Sequence, residues 1–208
     1  MGKHQYLFID FEFTMPQGRN TPENFFQEII EVGLVSVIDN KIEATYSTFV
    51  KPTYFPTLTD RCRSFLKINQ EQIDSGISFK RLCDKLSEYD SEYETTVLTW
   101  GNLDMKVLEN CCSLHDISFP LKGEHRDLAL EHKRFFGEKN QTGLRRAIEL
   151  YGNKAVGKAH SALDDAISTY QIFQLIEKDK KYLLNSKPTT IGERIDLGKI
   201  KFNFKISN

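Results

Sequence analysis

The segment Phe8-Ile9-Asp10-Phe11-Glu12-Phe13 constrains this chain most, because it places two carboxylates at the end of an apolar run. The run predicts a buried strand, and side chains two residues apart on a strand share one face at about 7 Å. Asp10 and Glu12 are therefore expected to point into the same space. Two unpaired like charges are costly to bury, so the pair predicts a positive partner, for which a divalent metal ion is the leading candidate.

Length and composition limit the class of protein. A chain of 208 residues with 39% hydrophobic residues fits one domain with a substantial core. Lysine and arginine (28) nearly balance aspartate and glutamate (29), so a polyanion would have to be bound locally. The N-terminus lacks a signal-peptide pattern, and no apolar run reaches membrane-spanning length. We therefore predict a cytoplasmic protein that does not enter a membrane.

Cysteine spacing argues against two kinds of site. Cys62, Cys83, Cys111 and Cys112 form neither a CxxC pair nor a zinc-ligand spacing. In a reducing compartment such residues are predicted to be free and mostly buried thiols. Cysteine-based catalysis is not expected.

The order of predicted elements indicates a mixed α/β fold. Strands are predicted over 6–13, 29–38, 41–50, 95–100 and 125–128, and the first three form an antiparallel meander. Helices are predicted near 59–66, 70–75, 78–90, 103–114, 129–136, 142–151 and 161–178. Strands followed by alternating strands and helices predict a mixed five-stranded sheet with helices on both faces.

Two segments allow alternative predictions. The loop at residues 14–24 adjoins the carboxylate pair and is predicted either to gate a substrate or to be an ordinary surface loop. The lysine-rich part from Lys178 to Asn208 ends in an alternating segment, Ile200–Ile206, which fits an edge strand, a partner-binding tail or a frayed end. We predict one domain over 1–180, with 181–208 as its tail or extension.

Asp104 provides a second candidate carboxylate. It follows a strand that ends at Gly101, and with Val107, Leu108 and Cys111 it forms an i, i+3, i+4, i+7 stripe. The stripe predicts that Asp104 faces the core. An acidic residue in a first helical turn is also favoured by the helix dipole, which is the alternative explanation. The inward phase of the stripe favours a site.

The segment His160-Ser161-Ala162-Leu163-Asp164-Asp165 provides a third signal. Ser161 is predicted to cap a helix, so His160 lies in the preceding loop with an accessible imidazole. Taken alone, such a histidine is more often a surface or capping residue than a functional one. The apolar stripe of the helix places neither Asp164 nor Asp165 in the core, so periodicity does not choose between them.

Along the chain these residues follow the order Asp-x-Glu, Asp and His-x4-Asp, and here the chain resembles the DEDDh family of 3'-5' exonucleases, which have a ribonuclease H-like fold. The resemblance extends over about residues 5–176. The segments Glu28–Gly33, Trp100–Asp104 and Gly143-Leu144 are similar to the family's second strand, middle motif and following helix start. Among the family's members the chain is most similar to the Eri1-like RNA-trimming branch.

The resemblance implies roles for the five residues. It matches the family's last metal ligand to Asp165, so that Asp10, Glu12, Asp104 and Asp165 hold two Mg²⁺ or Mn²⁺ ions. These hard cations favour carboxylate oxygens. His160 is then the general base that takes the proton from the attacking water. All five residues are implied to be catalytic.

The resemblance also implies substrate contacts, at Phe13, Thr14, Met15, Leu66, Trp100 and His160. The chain departs from the family where many members have Leu-Thr-Gly-Ile, because Leu66 and Lys67 replace the usual threonine and glycine. This departure falls at the expected sugar contact, on which the substrate preference depends. Lys67 is expected to contact a phosphate or to be a solvated surface lysine, and the same two alternatives apply to Arg145-Arg146 and Lys158.

The implied function is a metal-dependent 3'-5' exonuclease acting on single-stranded RNA or DNA 3' ends, with RNA favoured, that releases nucleoside 5'-monophosphates. A second hypothesis is a regulatory protein-binding module on the same fold that inhibits a sporulation kinase pathway through a protein partner. A third is an endonuclease of the ribonuclease H type, which is not expected to carry the His-x4-Asp arrangement. The sequence predicts no particular oligomeric state.

Overall fold

The computed structural model of the protein describes residues 3–18 and 21–185. The strands are β1 (His4–Phe13), β2 (Ile29–Ile38), β3 (Lys41–Lys51), β4 (Ile77–Ser78), β5 (Glu94–Thr99) and β6 (Glu124–Asp127). The helices are α1 (Asp60–Leu66), α2 (Gln70–Asp74), α3 (Phe79–Asp90), α4 (Leu103–Leu114), α5 (Leu128–Phe136), α6 (Leu144–Leu150) and α7 (Ala162–Asn185). The predicted tail beyond residue 185, with its alternating segment at 200–206, lies outside the described residues.

The strands form one mixed sheet in the order β4-β3-β2-β1-β5-β6. The pairs β1–β2 and β2–β3 are antiparallel, which confirms the predicted meander. Strands β5 and β6 extend the sheet in parallel from β1. The predicted count of five strands was short by one, because β4 pairs in parallel with the end of β3. A two-residue strand is too short to show an alternating pattern, so no local pattern predicts it.

Helices cover both faces of the sheet, as predicted, because β1 alternates its side chains between two apolar clusters. Leu7, Ile9 and Phe11 pack with α3 and α4 on one face. Phe8 packs with α5 and α7 on the other face. This alternation assigns Asp10 to the face that α7 covers.

A third apolar cluster lies beside β2, where Ile30 packs against Leu66 of α1 and Ile73 of α2. The four cysteines are free and buried, which confirms that prediction. None of the described helices is long and apolar enough to cross a membrane.

By its contacts, the chain has one compact unit from Met1 to Leu175 and a second that starts at Ile176. All five residues of the acidic and histidine pattern fall in the first unit. Of the second unit the structure describes the last turns of α7. The domain boundary near residue 180 stays a prediction.

Candidate active site

The strand β1 fixes the directions of Asp10 and Glu12. Both lie on the face that carries Phe8 and is covered by α7. In the register with β2, Asp10 lies opposite Gly33 and Glu12 opposite Glu31. Glu12 is only 9% exposed. Asp10 and Glu12 therefore share one face, as predicted, because the strand that carries them is paired with β2.

Gly33 explains how α7 reaches the carboxylate pair. A Cβ atom at this position would lie 2.1 to 2.2 Å from backbone atoms of Ala162 and Leu163, the first residues of α7. Only glycine tolerates so close an approach of two backbones. Because Gly33 is the partner of Asp10 in the sheet, the first turn of α7, with Asp165 in it, begins directly beside the strand-borne pair.

Asp104 reaches the same place from the other face of the sheet. The backbone N–H of Phe11 donates a hydrogen bond to its Oδ1 atom at 3.0 Å. Since Phe11 lies between Asp10 and Glu12 in the strand, this bond ties the first turn of α4 to β1 at the level of the pair. Asp104 is 6% exposed, which confirms the predicted inward phase.

Burial and mutual repulsion raise the pKa values of these carboxyl groups. Burial is the largest cause at Asp10, whose pKa lies well above the ordinary value, and the charge of Asp104 is the next cause. Burial also raises the pKa of Glu12 to about 8 and that of Asp104 to about 7. The pKa of Asp165 is raised by burial as well. Acidic groups that crowd together in this way are stabilised by a cation placed among them.

Within the described ranges, one group of three side chains has ligand atoms close enough to share a metal ion. Glu12, His160 and Asp165 each offer an atom within 4.8 Å of the others. Asp10 lies next to this group. Burial raises its pKa, and the negative charges of Asp104, Glu12 and Asp165 raise it further. Carboxylate oxygens are the donors that Mg²⁺ and Mn²⁺ favour, so the chemistry of the donor set fits these ions.

His160 lies in the loop that precedes α7 and is exposed. Its φ angle is +61°, in the left-handed region that is unusual for residues other than glycine. Its backbone N–H donates to Asp165 Oδ2 at 3.0 Å. Its ring lies against that of Phe65, with centroids 4.1 Å apart. An accessible imidazole beside a carboxylate group has the position that a general base needs.

A cleft of about 300 Å³ opens at this site. Its lining consists of Asp10, Trp100, Gly143, Leu144, Arg145, Arg146, His160 and Asp165. The Arg145 guanidinium is 3.5 Å from Asp165 Oδ1 and 3.4 Å from the carbonyl oxygen of Val156. The cleft therefore combines the carboxylates of Asp10 and Asp165 with cationic, aromatic and imidazole side chains.

The predicted substrate residues lie in different surroundings. Trp100 and His160 line the cleft, and the indole N–H of Trp100 donates to the carbonyl of Thr142 at 3.0 Å. Leu66 is 1% exposed in the core, so a substrate contact there would use its backbone. Lys67 occupies the left-handed C-cap of α1, with φ of +60°. That conformation accounts for the glycine that is usual in the family.

Phe13, Thr14 and Met15 lie at the end of β1 and in the segment that follows. Thr14 is buried, and its hydroxyl accepts the backbone N–H of Glu28 at 2.9 Å. The carbonyl of Met15 accepts the Thr59 hydroxyl at 3.0 Å. Thr14 and Met15 also line a second cavity, of about 290 Å³. These bonds hold the segment in place beside the carboxylate pair.

The sequence analysis missed Glu31 as a member of the site. It lies directly opposite Glu12 and is 7% exposed. Burial raises its pKa, whereas a hydrogen bond from the backbone of Ala162 and the charge of Lys158 lower it. A signal was present, because Glu31 interrupts an apolar run in a strand that is buried along its whole length.

The sequence model of the Exonuclease family matches residues 7–173. That span includes all five residues of the Asp-x-Glu, Asp and His-x4-Asp pattern. The chain belongs to this exonuclease family. It is 54% identical to the probable 3'-5' exonuclease KapD of Bacillus subtilis over 197 residues, which cover 95% of this chain and 96% of that protein. The predicted membership of the family is confirmed.

Two further matches extend this result. The exonuclease is 34% identical to human 3'-5' exoribonuclease 1 over 76% of its own length, but it spans about half (48%) of that protein. The crystal structure of the nuclease domain of 3'hExo, a DEDDh family member bound to rAMP, has a TM-score of 0.76 at 28% identity and covers 84% of this chain and 92% of that domain. The protein is thus a hydrolytic nuclease of the 3'-5' exonuclease class on the predicted fold.

Proposed function

We propose that this exonuclease removes nucleotides one at a time from single-stranded 3' ends, with RNA favoured over DNA, and releases nucleoside 5'-monophosphates. The observation that carries the proposal is the cluster of Glu12, His160 and Asp165, with ligand atoms within 4.8 Å of one another. Strand β1 supplies Asp10 and Glu12, and α4 supplies Asp104. The start of α7 and the loop before it supply Asp165 and His160. Such convergence of buried carboxylates and an exposed imidazole in a cleft is typical of a hydrolytic site.

Asp10, Glu12, Asp104 and Asp165 would hold two Mg²⁺ or Mn²⁺ ions. When bound, such ions activate a water molecule and stabilise the negative charge that develops at phosphorus. The raised pKa values of Glu12 and Asp104 support this assignment, since a cation would return both groups to their ionised form. The two-ion count rests on the four carboxylates that the sequence pattern brings together.

His160 would accept the proton of the attacking water at a ring nitrogen, because its imidazole is exposed in the same cleft as Asp10 and Asp165. The Trp100 ring offers a flat face on which a terminal base can stack. Arg145 offers a planar cation that suits phosphate oxygens. Trp100 and Arg145 would bind the terminal nucleotide. The carboxylates of the cleft would determine where its phosphodiester bond lies.

The preference for RNA is supported by the relatives. Human 3'-5' exoribonuclease 1 is named for RNA, and the 3'hExo nuclease domain is bound to rAMP. The regulatory alternative, inhibition of a sporulation kinase pathway through a protein partner, is favoured less. A protein-binding module has no need for a buried acidic cluster whose charges repel one another. A cytoplasmic location stays a prediction that cell fractionation tests.

The deciding experiment incubates the purified protein and Mn²⁺ with 5'-labelled single-stranded RNA, single-stranded DNA and duplexes with 3' overhangs. We expect a ladder of products shortened by one nucleotide at a time, fastest on single-stranded RNA, and nucleoside 5'-monophosphates by chromatography. Chelation of the metal is expected to stop the reaction. Cuts at internal positions would instead identify an endonuclease, and no hydrolysis of any substrate would contradict the proposal.

A further inference from the structure

The loop that carries His160 is held by carboxylates at alternate backbone amides. The N–H of Lys158 donates to Asp164 Oδ2 at 2.8 Å, and the N–H of His160 donates to Asp165 Oδ2 at 3.0 Å. Asp165 belongs to the acidic cluster, which consists of Asp10, Glu12, Glu31, Asp104 and Asp165. Asp164 lies outside that cluster, and the catalytic assignment leaves it without a role.

Asp164 does not face the cleft. Neighbouring residues of a helix point about 100° apart, so Asp164 and Asp165 cannot both point the same way. Asp165 lines the cleft, whereas Asp164 is absent from its lining and from the group of potential metal ligands. Its carboxylate instead turns back to the loop, where it meets the amide of Lys158.

The loop is folded tightly around the Asp164 carboxylate. A Cβ atom at Gly157 would lie 2.2 to 2.5 Å from the carboxyl atoms of Asp164, and Gly157 has a φ angle of +55°. Two residues after Lys158, the backbone of His160 adopts a left-handed conformation with φ of +61°. A residue other than glycine is strained in this conformation, and the surrounding contacts must offset that strain.

We propose that Asp164 is a positioning residue that fixes the loop 157–160, and thereby directs the imidazole of His160 to the acidic cluster. The proposal rests on the proposed function, in which His160 takes the proton of the attacking water. Asp164 acts through a hydrogen bond that it accepts from Lys158 and makes no contact with metal or substrate. Of the two adjacent acids, Asp165 therefore binds the metal ion and Asp164 positions the general base His160.

The test compares Asp164→Ala and Asp164→Asn with Asp165→Asn on single-stranded RNA, with Asp84→Ala as a control. Asp84 is a helical acid on α3 whose partner is Lys80 on the same helix. We expect Asp164→Ala to lower kcat about 10- to 100-fold with little change in KM, since small misplacements of a catalytic group have effects of this size. Asp164→Asn should restore kcat to within about threefold, because its amide oxygen still accepts the Lys158 N–H. Asp165→Asn should be inactive in the same assay, because it removes a proposed metal ligand.

Two measurements separate positioning from metal binding and do not need an active enzyme. Calorimetric titration with Mn²⁺ should give the same affinity for Asp164→Ala as for the unchanged protein, and a large loss for Asp165→Asn. Hydrogen exchange of residues 157–161 should be faster in Asp164→Ala and normal in Asp164→Asn. If the unchanged protein hydrolyses no substrate, the proposed function fails, whereas exchange still reports on the loop.

Three outcomes would overturn the positioning role. Unchanged kcat and unchanged exchange in Asp164→Ala would show that the bond is dispensable. Loss of Mn²⁺ binding in Asp164→Ala, or an Asp164→Asn enzyme as slow as Asp164→Ala, would show that the charge acts directly. Should Asp164→Ala fail to fold, Gly157→Ala disturbs the same contact from the other side. It is expected to lower kcat with little change in KM, and an unchanged kcat would contradict the proposal.

Discussion

The two halves of the active site are built in different ways. Asp10 and Glu12 project from a strand that is paired along their whole segment with β2, and Asp104 is fastened to the same strand through Phe11. His160 stands in an irregular loop with a left-handed backbone, and side-chain carboxylates hold its amides. Asp165, at the start of α7, joins the two halves.

This difference separates stability from activity. The strand half is preorganised by the backbone of the sheet, so its carboxylates cannot move apart, and their repulsion is stored in the folded metal-free protein. The loop half depends on a few hydrogen bonds at the surface, so it can change without unfolding the domain. Substitutions in the strand half should therefore alter both stability and activity, whereas those in the loop half should alter activity alone.

Asp10→Asn should have the largest effect. It removes a carboxylate on which the charges of four others, Asp104, Glu12, Asp165 and Glu31, act, and would lower activity by about a thousandfold or more, as removal of groups that act directly in catalysis does. In metal-free buffer the same change should raise the melting temperature, because it removes an ionisable group whose pKa is raised by burial and by repulsion from neighbouring carboxylates. Initial rates and thermal unfolding with chelator measure the two effects. A lower melting temperature would contradict the strand-half account.

His160→Ala should lower activity by about 10²- to 10⁴-fold, the range that general base catalysis supplies. Because His160 is exposed in the loop half, thermal unfolding should change little. The exposed Phe65 whose ring contacts His160 provides a control, since Phe65→Leu removes the ring contact and keeps the base. A large fall in stability for His160→Ala would show that the two halves are not independent.

Gly33→Ala tests the junction of the halves. A methyl group here would meet the backbone at the start of α7 at 2.1 to 2.2 Å, so helix or strand must shift. We expect a loss of about 1–3 kcal/mol in the free energy of unfolding, as overpacking causes, and a fall in activity of about tenfold or more. Gly143→Ala is a matched control for stability, because nothing lies within 4 Å of a Cβ atom there. Equal losses in the free energy of unfolding of the two variants would contradict the close approach.

A pH dependence of stability is also expected in the metal-free protein. The pKa of Glu12 is about 8 in the folded state, against an ordinary value of 4.5, and that of Asp104 is about 7, against 3.8. Between these values the folded state binds more protons than the unfolded state, so stability falls as pH rises. The melting temperature with chelator should decline from about pH 5 to about pH 8, and Mn²⁺ should flatten the decline. A rise over this range would contradict the assigned shifts.

The strands and helices were largely predictable, because the period of two in β1 and the stripe of α4 are local patterns. The missing strand β4 is too short for such a pattern. Glu31 and Gly33 were not predicted to belong to the site, because their roles depend on what lies across the sheet from them. No local pattern reports which residue of β2 faces Glu12 or which backbone atoms of α7 approach Gly33.

The spacing of residues along a regular backbone was enough to predict that Asp10 and Glu12 share one face and that Asp104 faces inward. In contrast, the start of α7 on Gly33, the place of Glu31 beside Glu12, and the turn of Asp164 to the loop while Asp165 turns to the cleft depend on contacts between elements. Periodicity sets the direction of side chains within one element, whereas distances between elements depend on how closely their backbones can pack.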